Sequence, residues 1–107
     1  MHQKKVRDSA APTYVKLVVF IMGLEERISH GQVTSTPMDN ASLGKLIRME
    51  GVFGKRFMGD YLGGAKLRGF YDFGPGGPYV TSRGEEFLRA NRAAAGYALP
   101  FATETFK

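Results

Sequence analysis

Residues 42–88 read SLGKLIRMEGVFGKRFMGDYLGGAKLRGFYDFGPGGPYVTSRGEEFL, and the rest of the chain is arranged about them. The order is helix, sharp turn, helix, β-hairpin, helix. Leu43, Leu46 and Ile47 give the first of these helices a buried face, because residues three and four apart share one side of a helix. Gly51 is placed to close it in a left-handed conformation. Upstream, Thr36 as cap, Pro37 at the first helical position and Asp39 three residues after the cap make a start signal. Asn40 and Ser42 are alternative, later caps.

The next helix is expected over 54–67. Projected at 3.6 residues per turn, Phe57, Met58, Tyr61 and Ala65 fall on one side, and Lys55, Arg56, Gly59, Gly63 and Lys66 on the other. The second side alternates long cations with residues that lack a side chain. Each glycine disfavours helix by about 1 kcal/mol relative to alanine, so a short or bent helix, or a break near Gly63-Gly64, is expected. Glycines four apart serve either close backbone approach to a ligand or close helix–helix packing. Phe70–Phe73 and Pro78–Thr81 flank Gly74-Pro75-Gly76-Gly77 and predict a hairpin. That glycine run lacks the spacing of a nucleotide phosphate loop. Ser82 with Glu85 forms a second capping box and starts a helix expected to run to about Ala95, with Gly96 ending it.

Outward from this stretch, residues 1–12 form a polar arm with Lys4, Lys5 and Arg7. Residues 13–30 predict a helix on which Tyr14, Leu17, Val18, Ile21, Leu24 and Ile28 form one stripe, widened by Val15, Val19, Phe20 and Met22. A helix apolar on most faces must be buried on most faces, by its own core or by a second copy of the chain. Lys16 interrupts the run, Glu25-Glu26-Arg27 follow it, and it is shorter than the roughly 20 residues a membrane span needs. Neither a secretory signal nor a span is expected, and a cytoplasmic location is. Gln32–Ser35 suit one short strand. The tail, 97–107, carries Tyr97, Leu99, Phe101 and Phe106 and is too apolar to stand free in water.

With 107 residues, one domain over 13–96 is expected between arm and tail. The absence of cysteine excludes a disulfide framework and thiolate metal sites. His2 and His30 are far apart, and no metal-ligand or nucleophile spacing occurs. No cofactor, metal or enzymatic activity is expected. The formal charge is +5, and its location is informative. Lys45, Arg48, Lys55, Arg56, Lys66 and Arg68 oppose only Glu50 and Asp60 within 42–70, so most of the excess sits on the two-helix unit. A confined basic patch is the electrostatic footprint of a nucleic-acid binder, although a solvated basic face looks the same in sequence.

Taken together, 42–88 resembles the winged helix-turn-helix DNA-binding superfamily in pattern and spacing. Its most specific part is Tyr79–Leu88, similar to the passage in winged-helix regulators where a wing strand enters a T-x-x-G-x-x-x-L helix start, matched by Thr81, Gly84 and Leu88. The resemblance implies an α+β, mainly α fold: a three-helix core, a two- or three-stranded β-wing and a C-terminal helix. It implies a transcriptional regulator whose partner is double-stranded DNA. Lys55, Arg56 and Lys66 would meet bases or phosphates in the major groove, with Gly59 and Gly63 giving close approach. Lys45, Arg48, Arg68 and Arg83 would hold phosphates. A homodimer would form through 13–30 and 85–107. The hairpin tip departs from many wings in having no Lys or Arg. With that uncharged tip, the helix glycines and the apolar tail, a winged-helix module that binds another protein is the alternative.

Overall fold

The first helix, α1 (Ala11–Ser29), buries Tyr14, Val15, Leu17, Val18, Val19, Phe20, Ile21 and Leu24, and the fold is built around it. The computed structural model describes residues 11–51, 53 and 59–91. After α1 come α2 (Asn40–Glu50), α3 (Asp60–Leu67), β1 (Tyr71–Gly74), β2 (Gly77–Val80) and α4 (Ser82–Ala90). The architecture is α+β and mainly helical, with one two-stranded antiparallel sheet among the described residues, an order compatible with a winged-helix-like class. No described helix is long and apolar enough to cross a membrane. Residues 1–10 of the arm and 92–107, which hold Gly96 and the apolar tail, lie outside the described residues.

The apolar breadth of α1 is accounted for within one chain. Leu17, Val18, Phe20, Ile21 and Leu24 join Leu43, Ile47, Leu62, Ala65, Phe70 and Tyr71 in one core cluster. Met22 is the one large apolar side chain of α1 left exposed. Its breadth therefore creates no need for a second copy.

The start of α2 corrects one expectation. Its cap is Asp39, three residues later than Thr36. Asp39 Oδ1 accepts from the Ser42 amide at 2.9 Å, and Ser42 Oγ accepts from the Asp39 amide at 3.3 Å. Serine at the third helical position thus closes the capping box usually completed by Glu or Gln. The bonds to the Ser42 amide and hydroxyl hold the Asp39 carboxyl below its ordinary pKa. Gly51 ends α2 as expected, at φ +70°, with its amide donating to the Ile47 and Arg48 carbonyls. On α3, Leu62 and Ala65 are buried. The helix starts at Asp60, later than the expected 54, with Gly59 as its cap; at 8 residues it is short, as its glycines predict, and it continues through Gly63-Gly64 without a break. Gly64 has a tertiary reason to be there: a Cβ would collide with the Tyr14 hydroxyl on α1.

The hairpin pairs Tyr71 with Val80, Asp72 with Tyr79, Phe73 with Pro78 and Gly74 with Gly77. The strands thus take in the two outer glycines and leave Pro75-Gly76 as the turn. Gly77 has φ +108°, and a Cβ on it would stand 2.6 Å from Thr36 Cγ2. No strand forms at Gln32–Ser35. On the free side of β2, the Val80 amide donates to Glu25 Oε2 of α1 at 2.8 Å, so a helix side chain satisfies a donor that a third strand would have used. The Tyr71 hydroxyl is shared between Asn40 Oδ1 at the start of α2 and the Leu62 carbonyl of α3 at 3.2 Å. One phenol thereby ties the hairpin to both helices.

The passage into α4 gives the T-x-x-G pattern a physical basis. Thr81, not Ser82, is the cap: its Oγ1 accepts from the Gly84 amide at 3.1 Å and donates to the Gly69 carbonyl. The Thr81 amide donates to the Phe70 carbonyl at 3.1 Å. A Cβ on Gly84 would collide with that same carbonyl oxygen and lie 2.8 Å from Val80 Cγ1. Leu88 packs on the core, and Phe87 stacks on Phe70 with centroids 4.2 Å apart. The helix closes at Asn91, whose amide donates to the Phe87 and Leu88 carbonyls, earlier than the expected Ala95.

Candidate nucleic-acid interface

Buried Leu62 and Ala65 turn α3 so that its opposite side is open. Gly59, Gly63 and Lys66 are all exposed. They stand four and three residues apart, hence on one helix face. A Cβ on Gly59 or Gly63 would meet nothing within 4 Å among the described residues. The two glycine roles left open by sequence are therefore divided between neighbours: Gly64 serves packing, and Gly59 and Gly63 present bare backbone to the outside. Lys55 and Arg56, with Phe57 and Met58, lie outside the described residues.

Lys45 and Arg48 are exposed on α2, which packs on α3 where Leu62 meets Gly44; a Cβ there would stand 3.3 Å from Leu62 Cδ1. Neither cation forms an ion pair among the described residues. Lys66 does, with its Nζ 3.5 Å from Asp72 Oδ1 on β1. Both side chains are about half exposed, so water screens the pair and leaves it weak. The Phe73 amide, with a further contribution from Lys66, holds the Asp72 carboxyl below its ordinary pKa. An incoming phosphate at Lys66 would have to displace or outcompete that carboxylate.

Arg68 and Arg83 come together although fifteen positions separate them. Gly69, at φ +81°, turns the chain after α3, and a Cβ there would lie 3.2 Å from Arg83 Cδ. Both arginines line a cleft between the end of α3 and α4, with Leu67, Phe70, Glu86, Phe87 and Ala90. Arg83 is exposed. Arg68 is half-buried: its guanidinium lies 5.1 Å from the Tyr14 ring centre, and its Nη1 donates to the Gly64 carbonyl at 3.1 Å and to the Tyr14 hydroxyl at 3.4 Å. Its Nε is buried without an acceptor. Sequence spacing did not reveal that Arg68 is engaged on Tyr14, nor that Leu67 is 88% exposed. The Arg68 contact depends on how α3 packs against Tyr14 of α1, which only the tertiary structure sets.

The described residues bring no three His, Asp or Glu side chains together as a metal site. Comparison with protein-family models, with curated proteins and with solved structures finds no match for this chain.

Proposed function

We propose that the chain is a winged helix-turn-helix protein that binds double-stranded DNA as a small, sequence-specific transcriptional regulator. The observation that carries this reading is the exposed face of α3, where Gly59, Gly63 and Lys66 offer bare backbone beside a cation. Lys45 and Arg48 on α2, and Arg83 beyond the turn, add exposed positive charge. In a major groove this surface brings the α3 backbone close to base edges. The lysines and arginines on phosphates fix the register and carry no sequence information directly. In this proposal Lys55 and Arg56, which precede α3 in the chain, also contact the DNA. Arg68, engaged on Tyr14 through Nη1, orients the turn and adds charge.

A homodimer belongs to the proposal because a two-fold operator is read by a two-fold protein. The proposal places it on residues 13–30 and 85–107, and Met22 is exposed on α1. A cytoplasmic location goes with a DNA partner.

The second reading, a module that binds a protein, is favoured by two exposed apolar side chains, Leu67 and Met49, at 88% and 73% exposure. Selection from random-sequence duplex pools at two salt concentrations separates the two. An enriched two-fold motif supports the regulator. Retention without enrichment, lost at higher salt, supports a nonspecific binder. No retention at either salt favours the protein partner.

A further inference from the structure

The cleft between the end of α3 and α4 has a charge imbalance that the described residues leave unanswered. Its two guanidinium groups, Arg68 and Arg83, form no ion pair among the described residues. Glu86 lines the same cleft without coming within ion-pair distance of either. Arg68 is half-buried against neutral acceptors only, and its Nε has none. A charge partly removed from water without an opposite charge is costly.

The walls add a second requirement. Leu67 presents 88% of its surface, and the Phe70–Phe87 stack, with Ala90, supplies the apolar floor. A phosphate from DNA would answer the arginines and leave Leu67 in water. A ligand carrying both an anion and an apolar body answers both. The cleft volume of about 680 Å³ lies within the range of small-molecule sites.

We propose that this cleft binds a small organic carboxylate, its anion held between Arg68 and Arg83 and its apolar body against Leu67 and Phe87. The site stands whether or not the chain binds DNA. If Arg83 also holds a phosphate, the carboxylate and DNA compete, which would make the regulator ligand-responsive.

Naphthoate titrated into the full chain, followed by backbone amide NMR, tests it, with naphthalenemethanol as the uncharged counterpart. Saturable shifts confined to 67–70 and 83–90 are expected, with naphthoate bound about tenfold more tightly than the alcohol, as a charge-assisted contact gives. Arg83→Gln, at an exposed position, should abolish most of that preference while the rest of the spectrum is unchanged, and Arg83→Lys should restore part of it. Equal affinity for acid and alcohol, an unchanged preference in Arg83→Gln, shifts centred on α1 or α2, or no saturation in the millimolar range would each overturn the proposal. So would displacement signals from 97–106, which would assign the cleft to the chain's own apolar segment.

Discussion

Gly63 and Gly64 are adjacent and chemically identical, yet a methyl group means opposite things at the two. At Gly64 it collides with the Tyr14 hydroxyl; at Gly63 it meets open space. Gly63→Ala is therefore expected to stabilise the fold by about 0.5–1 kcal/mol, the helix-propensity gain of alanine over glycine. If bare backbone at Gly63 approaches DNA, the same variant binds DNA more weakly. Urea unfolding and a DNA titration on one preparation read both effects. A variant that is more stable and binds equally well would remove Gly63 from the interface. Gly84 is the stricter case, since its Cβ would meet the Phe70 carbonyl and Val80 together. Backbone cannot retreat as a flexible side chain can, so Gly84→Ala should cost about 3 kcal/mol, at the upper end for overpacking. Urea midpoints compared at constant m-value check it.

Among the elements, the hairpin depends on Tyr71 for its attachment to α2 and α3. Burial, with the Asp72 carboxylate adding to it, pushes the Tyr71 phenol above its ordinary value. A phenol ionises near pH 10 when unfolded. With the folded value higher, its contribution is complete below pH ~10 and is lost as pH rises from there through the folded value. Stability should fall above pH ~10, with a slope of up to about 1.4 kcal/mol per pH unit from this one group. Tyr71→Phe should flatten that slope while lowering stability at neutral pH. Denaturant unfolding at several alkaline pH values measures both, and an identical slope in the variant would place the titration elsewhere. The elements themselves were largely legible in the sequence, because apolar spacing and the signals at Gly51 and Gly74–Gly77 are local chemistry. The capping residues were not. Thr36 and Ser82 satisfy the pattern as well as Asp39 and Thr81 do, and Thr81 prevails because its hydroxyl also reaches the Gly69 carbonyl. The expected strand at Gln32–Ser35 failed for a similar reason: whether it pairs depends on what already occupies the edge of β2, and Glu25 from α1 meets Val80 there.

For the whole molecule, the distribution of charge matters more than its sum. The proposed interface draws exposed cations from three elements: Lys45 and Arg48 from α2, Lys66 from α3 and Arg83 from α4. Each cation that neutralises a phosphate releases a counterion, so log affinity falls with log salt at about 0.9 per contact on duplex DNA. With these four engaged, a slope of about −3.5 is expected, and steeper if Lys55 and Arg56 also contact phosphate. Lys45→Ala should weaken binding to all sequences alike and reduce the slope by about 1. Lys66→Ala should reduce it by less, because Asp72 already competes for that ammonium. Asp72→Asn is the decisive partner experiment. It releases Lys66 and removes a carboxylate from a surface that would face phosphates, so DNA affinity should rise, most of all at low salt. If Asp72→Asn leaves affinity unchanged while Lys45→Ala lowers it, the DNA lies along α2 and not along the exposed face of α3. If none of these variants moves the slope, the charge on this face is only solvated, and exposed Leu67 and Met49 become the better guide to a partner.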